Sequence, residues 1–179
     1  MKTTKRNTAD KIILDWQKAK EIIHRWQAVG LDVVFTNGCF DLMHLGHIDN
    51  LEKAAQLGDK LVVALNSDAS VQRLKGEHRP ISNQASRMAV MAALEFVDMV
   101  VLFEEQTPLE IITTLSPDIL AKGGDYTPEQ IIGSELVLEK GGKVIALPFV
   151  EGYSTSQLES KILAAAKNNK TKTTKTKKS

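Results

Sequence analysis

Two histidines three residues apart, His44 and His47, stand in the stretch TNGCFDLMHLGHIDNLEKAA, directly after a short apolar run. Imidazoles so spaced can ligate a metal, pack in a core, or donate hydrogen bonds to an anion. Zinc is the weakest of these readings, because no third ligand accompanies the pair and two ligands on a continuous helix would use four-residue spacing. Spacing alone is met by one packed and one solvated histidine. Location adds to it. DVVFTNG reads as a buried strand ending in a turn at Gly38 that lets a ligand approach the backbone. A helix starts near Leu45 to Ile48, where free amides and the helix dipole favour an anion. Gly46 leaves room between the two rings for a phosphate, and two directed donors there could stabilise charge growing on a transferring phosphoryl group. A second start of this kind occurs in EGYSTS, where Ser154, Thr155 and Ser156 precede an apolar-periodic helix; capping by Ser154 accounts for one hydroxyl. Neither GxGxxG nor GxxxxGK[ST] occurs, so a phosphate site must be built in another way.

The elements that position these groups follow from periodicity. Asp15 caps a helix with Trp16, Ala19, Ile22, Ile23, Trp26 and Val29 at three-to-four spacing, and Gly30 ends it. After the DVVFTNG strand, a helix is expected from about His47 to Leu57. LVVALNS is a second strand, Asp68 to Leu74 a short helix, and KGEHRPISN a polar loop. Ser82 or Asn83 caps a helix through Leu94, MVVLF is a third strand, and Thr107-Pro108 opens a helix through Leu115. DILAKGG, a helix over 134–139, KVIALP and a closing helix over 154–166 complete the alternation. Five short apolar strands separated by helices predict an α/β, Rossmann-like, doubly wound parallel sheet with helices on both faces. Ligands bind beyond the C-terminal strand ends of such sheets, which singles out TNGCFDLMHLGH, NSDAS, KGGDY and FVEGYSTSQ.

Composition narrows the function classes. The chain has 179 residues, 42% of them hydrophobic, enough for one globular core. No apolar run is long enough to span a bilayer and the first residues do not read as a signal peptide, so a cytoplasmic protein without membrane contact is expected. A single Cys39 suits a reducing compartment and reads as a small buried residue. The net charge of +1 is uneven. Removing the six lysines of KNNKTKTTKTKKS from the 23 basic residues leaves 17 against 22 acidic ones, net −5, so the folded part is acidic. That argues against a nucleic-acid-binding face. The lysine-rich tail, 167–179, is expected to be disordered.

Taken together, TNGCFDLMHLGH, GDKLVVALNSDASVQRLKG, RPIS, the Arg87 helix, AKGGDY and EGYSTS resemble the cytidylyltransferase-like nucleotidyltransferases with an HxGH motif, over about residues 30 to 165. Within that family the resemblance is strongest to the adenylyltransferases of ADP-heptose synthesis. It implies transfer of AMP from ATP to a sugar 1-phosphate, with pyrophosphate released and Mg²⁺ on the triphosphate. The expected organisation is an N-terminal extension with a covering helix over 1–30, the nucleotidyltransferase domain over 31–166, and the tail. In bifunctional relatives such a domain follows a sugar kinase, so here a separate kinase is expected to supply the sugar 1-phosphate. Dimers are common among similar proteins, and the Trp16/Trp26 face suits either a homodimer or intramolecular packing.

Position by position, the resemblance assigns His44 and His47 to the triphosphate and its transition state. Thr36, Asn37, Gly38 and Phe40 form the nucleotide-contacting turn, Ser154, Thr155 and Ser156 the second phosphate-binding helix start, and Gly124, Asp125 and Tyr126 the nucleoside side. Asp41, Lys75 and Arg87 are candidates for the acceptor or phosphate side, since a phosphorylated acceptor needs cations to offset repulsion from the triphosphate. Each has an alternative: Asp41 as the cap of its turn, Lys75 as a solvated lysine, Arg87 in a structural ion pair. Lys122 is either a nucleotide contact or part of an ion pair. Pro148-Phe149-Val150-Glu151 stands where glycerol-phosphate cytidylyltransferases carry a basic residue, which favours ATP over CTP. The alternatives are a CTP-dependent enzyme acting on a polyol or amino-alcohol phosphate, and a nucleotide-binding module without turnover.

Overall fold

The computed structural model describes residues 7–150 and 152–176, with the side chains of 167–176 left aside. Five strands, β1 (Val33–Gly38), β2 (Lys60–Asn66), β3 (Met99–Phe103), β4 (Ile119–Gly123) and β5 (Lys143–Leu147), form one sheet. All pairings are parallel and the order is β3-β2-β1-β4-β5, the doubly wound arrangement expected. The strand side chains alternate with period two. Val33 and Phe35 of β1, with Val62 and Ala64 of β2, face one core layer; Val34, with Leu61, Val63 and Leu65, faces the other.

Helices cover both faces. On the first lie α1 (Trp16–Ala28), α5 (Leu109–Leu115) and α6 (Ser134–Glu139), contributing Ala19, Ile23, Ile111, Ile112, Leu115 and Val137. On the second lie α2 (Leu45–Ala55) and α4 (Gln84–Ala93), through Leu51, Ala54, Met88, Met91 and Ala92. Asp15 caps α1 by accepting from the amides of Gln17 and Lys18, and Asn83 caps α4 through the Ser86 amide. Trp16 and Trp26 pack against the first core layer, and Trp16 Nε1 donates to the Leu102 carbonyl, so this aromatic face is used within the chain. The short α3 (Asp68–Lys75) follows β2, capped by Ser67.

Two boundaries differ from expectation. Helix α2 starts at Leu45 rather than near His47, with His44 as its N-cap, so both histidines belong to its first turn. The closing helix α7 is Thr155–Thr176, continuing into the lysine-rich segment expected to be disordered; residues 177–179 of that segment lie outside the described residues. Residues 167–176 hold four lysines beside four threonines and two asparagines, weak helix formers, so this stretch prolongs a helix already nucleated over 155–166 rather than following from its own propensity. The apolar residues of α7 are not inward as periodicity implied: Ile162 and Leu163 are 59% and 62% exposed.

Candidate functional site

The sheet opens where its winding direction reverses, between β1 and β4. While β1 pairs with β2 over its whole length, its pairing with β4 covers only Val34 with Ile119 and Phe35 with Leu120. Beyond those pairs the two strands part. Lys122 fills the gap, its Nζ donating to the backbone carbonyl of Asn37 at 3.0 Å and to Asn37 Oδ1 at 3.1 Å. The partners are neutral, and burial holds the Lys122 ammonium below the usual lysine range, with nearby Cys39 acting in the opposite direction. Such a cation, with no carboxylate partner among the described residues, can take a ligand's negative charge. Of the two readings left open for Lys122, ion pairing is the one that the geometry does not show.

Around this gap lies a cleft of about 530 Å³. Thr36, Asn37, Gly38, Phe40, Asp41, His47, Lys75, Lys122, Tyr126 and Thr155 all border it, whereas His44, Arg87, Gly124, Asp125, Ser154 and Ser156 do not. His44 stacks on His47, with ring centroids 3.8 Å apart and planes 22° from parallel, and Phe40 sets its ring edge against His47 at 5.5 Å. Phe40 reaches that place from a left-handed backbone, φ 47°, a strained conformation for a bulky residue. Its ring covers Gly38, where a Cβ would lie 3.0 Å from Phe40 Cε2. The small residue at 38, itself on the cleft lining, therefore accommodates the Phe40 ring.

Both histidines carry a buried Nδ1 without a hydrogen-bond partner. Burial pushes the His44 imidazole below its ordinary range. His47 is pushed to about 4, by burial first and then by the charges of His44 and Lys75. Both are therefore neutral at physiological pH, with polar atoms whose hydrogen-bonding capacity is unspent. Gly46 brings the two anion-friendly helix starts together: a Cβ there would meet His44 Nδ1 at 3.2 Å and Tyr153 Cβ at 3.3 Å. Tyr153 directly precedes the N-cap of α7, Ser154, whose hydroxyl accepts from the Gln157 amide. Glu151 of EGYSTS lies outside the described residues.

Several candidates stand elsewhere. Arg87 does not reach the cleft. It is a buried clamp: Nε donates to the Ser82 carbonyl, Nη1 to that of Cys39, and Nη2 to that of Asn66 and to Asp68 Oδ1. A guanidinium so committed has no free fork for an acceptor phosphate, and its structural alternative is the one the geometry supports. Asp41 borders the cleft, but its carboxylate accepts from the amides of Ile81 and Ser82 and pairs with Arg79 at 2.7 Å. Burial alone would raise the Asp41 pKa; the bonds from Ser82 and Ile81 and the Arg79 charge outweigh it and hold the carboxylate below its ordinary range. Asp125 and Ser156 are exposed and do not border the cleft; nor do Gly124 and Ser154. At Gly124, φ 141°, the Tyr126 ring lies so close that a Cβ would sit 2.4 Å from it, so this glycine seats Tyr126.

Sequence reasoning passed over Asn50, Asn66, Gln106 and Phe149, which also line the cleft. Asn50 had a legible signal, standing three residues after His47 on the same helix face. Its amide packs on Gly123, where a Cβ would approach to 2.8 Å. Among the described residues no group of three or more His, Cys, Asp or Glu converges as a metal site, and no helix is long and apolar enough to cross a membrane.

An open parallel sheet with a cation at its reversal point and two helix starts facing the same cleft defines a nucleotide-binding α/β protein. The cytidylyltransferase-like family model matches residues 35–177, and the chain belongs to that family. It is 53% identical over 152 residues to the Bifunctional protein HldE of Magnetococcus marinus, covering 85% of this chain and 31% of that protein. It is 54% identical over 142 residues to that of Gluconobacter oxydans, covering 79% and 30%. The chain thus spans about a third of the length of these curated relatives. The crystal structure of the lipopolysaccharide core biosynthesis protein from Thermoplasma volcanium superposes with a TM-score of 0.55 at 32% identity, covering 70% of this chain and all of that one.

Proposed function

We propose that this chain is an adenylyltransferase that transfers AMP from ATP to a sugar 1-phosphate, D-glycero-β-D-manno-heptose 1-phosphate, releasing pyrophosphate. The observation that carries the reading is the Lys122 ammonium in the opening between β1 and β4, which has no carboxylate partner among the described residues, in the cleft that His47 of the stacked His44/His47 pair also lines. The relatedness to HldE proteins and to a lipopolysaccharide core biosynthesis protein supports the sugar-phosphate acceptor.

A phosphate oxygen of the acceptor attacks the α-phosphorus of ATP in line, and the bond to the bridging oxygen of pyrophosphate breaks. No covalent enzyme intermediate is needed. His44 and His47 donate hydrogen bonds to the phosphate oxygens on which charge grows, and the first amides of α2 and α7 face the same anion. Lys122 neutralises triphosphate charge, and Lys75, at the cleft rim, takes the acceptor phosphate. Tyr126 and Phe149 offer aromatic faces for the base. Asp41, engaged by Arg79 and two amides, would not hold a metal; Mg²⁺ brought with the nucleotide would supply charge neutralisation to the transferring group. A kinase acting earlier provides the sugar 1-phosphate.

Pyrophosphate release with ATP and CTP in parallel, across a panel of sugar 1-phosphates and polyol phosphates, tests the reading. Turnover is expected with ATP and heptose 1-phosphate. Turnover with CTP and a polyol phosphate alone would replace it, and nucleotide binding without release on any acceptor would favour a non-catalytic module.

A further inference from the structure

Helix α7 brings Thr155 to the cleft, yet very little holds it there. Residues 160–166 are all exposed, and of its first turns only Thr155, Leu158 and Glu159 are partly covered. Among the described residues one polar side-chain tie joins α7 to the rest of the chain, Arg79 Nη1 to Glu159 Oε1, beside a shallow apolar groove that Leu158 and Ile162 line with Phe40, Met43 and Val90. The same guanidinium pairs through Nε with Asp41 at 2.7 Å. Its side chain is 10% exposed and that of Asp41 1%, while Glu159 is 37% exposed. Asp41 in turn receives the amides of Ile81 and Ser82. One cation, carried on the 76–83 loop outside the cleft, therefore joins two of the cleft's walls: the turn after β1 and the first turns of α7.

We infer that Arg79 is a positioning residue that bolts the N-terminal turn of α7 to the β1 turn and so sets the nucleotide site's width. The inference rests on the proposed nucleotide role of the cleft. Asp41 is the fixed end of the bolt, with every side of its carboxylate occupied and almost no solvent. Glu159 is the loose end, half-solvated and four residues, one helical turn, beyond Thr155. A partly exposed ion pair adds little to global stability. Its effect falls on a helix with almost no other tether, whose displacement by a fraction of an ångström moves Thr155 and the adjacent amides relative to His47. Coupling of this kind appears in ligand affinity rather than in the melting transition.

The test uses the full chain, with Mg²⁺–ATP binding followed by calorimetry beside steady-state kinetics and thermal melting. Glu159→Gln leaves Asp41–Arg79 intact and touches no residue of the cleft. It is expected to weaken ATP binding and raise its KM by ~10-fold, with kcat and the melting midpoint unchanged. Arg79→Lys, which cannot span both carboxylates, should weaken ATP binding comparably. In the double variant the two losses should not add. Unchanged ATP affinity in Glu159→Gln, a fall in its melting midpoint that accounts for lost activity, or additive losses in the double variant would each overturn the inference. Wild-type protein that binds no ATP would instead remove the nucleotide reading of the cleft, and the bolt's role with it.

Discussion

Replacing Arg87 by alanine should unfold the protein more readily rather than impair one substrate's handling. The side chain is fully buried and its guanidinium donates four hydrogen bonds, at 3.0 Å to Ser82, 2.6 Å to Cys39 and 2.8 Å to both Asn66 and Asp68. Each bond from a charged donor is worth roughly 1.5–3 kcal/mol, so simple addition gives ~6–12 kcal/mol, an upper bound. Two features lower it. Asp68 is 39% exposed and is resolvated when its partner leaves, and Arg87 borders a groove with Ser86 and Val90 through which water can reach the abandoned carbonyls. A loss of about 3–5 kcal/mol remains, against a total stability of roughly 5–15 kcal/mol for a domain. At ~2–4 °C per kcal/mol for a chain of this size, the melting midpoint should fall by ~6–20 °C. Urea titration should show a lower midpoint with an unchanged slope. Arg87→Lys keeps the charge but serves fewer of the three converging segments, and should fall between wild type and alanine. If Arg87→Ala melts within ~2 °C of wild type while turnover collapses, the clamp argument is wrong and the guanidinium acts on substrate.

Three other outcomes follow from the cleft. Protonation of His47 is disfavoured in the ligand-free fold, so the unfolded chain takes up that proton first and stability falls as pH drops from ~6.5 towards about 4, levelling off below. The shift corresponds to ~3 kcal/mol, reduced to ~1–2 by solvent screening, and pH-dependent urea denaturation of wild type against His47→Asn isolates it. Gly46→Ala should leave the melting midpoint within a few degrees, since a gain of up to ~1 kcal/mol in helix propensity meets contacts of 3.2–3.3 Å with His44 and Tyr153; kcat should drop by ~10-fold or more. Lys122→Met should melt at or above the wild-type temperature while ATP affinity falls by at least ~10-fold, read by calorimetry; a destabilised variant with unchanged affinity would reverse the role given to Lys122.

Local rules were enough to read the frame of the molecule. MVVLF and KVIAL stand in the sheet as their β-branched runs imply, because a parallel strand buried on both faces leaves no other solution for so apolar a segment. His44 and His47 were legible as a pair because strand, turn and helix start are contiguous in the chain. Between the two readings left open for Arg87 nothing in the sequence could decide, for the opposite reason. Its partners Cys39, Asn66 and Asp68 are 19 to 48 residues away, and nothing local shows that a charged residue on a helix will face a junction of loops rather than solvent. The Arg79 bridge spans 80 residues to Glu159 and was invisible on the same ground. On α7, apolar periodicity described an amphipathic helix but not whether the apolar face of Ile162 and Leu163 would find a covering surface.

The unfavourable features of this fold are concentrated in one place. A desolvated ammonium at Lys122, the unpaired imidazole nitrogen of His47 and the left-handed Phe40 all border the opening where β1 and β4 separate, with His44 stacked on His47, whereas the opposite strand ends are fully paired. There Asp118 accepts from the Val33 amide and Asp98 from the Leu61 amide, so N-terminal strand ends are saturated by carboxylates. The contrast has a physical consequence. Carboxylates are placed where they complete the sheet and are either excluded from the opening or, as at Asp41, fully engaged. A polyanion entering the cleft would therefore meet the Lys122 ammonium and neutral donors with no unengaged carboxylate among the described residues that border it. On the proposed reading, this lets a chain that is net acidic outside its lysine-rich tail offer phosphate groups one desolvated ammonium and unspent neutral donors rather than an excess of buried cations.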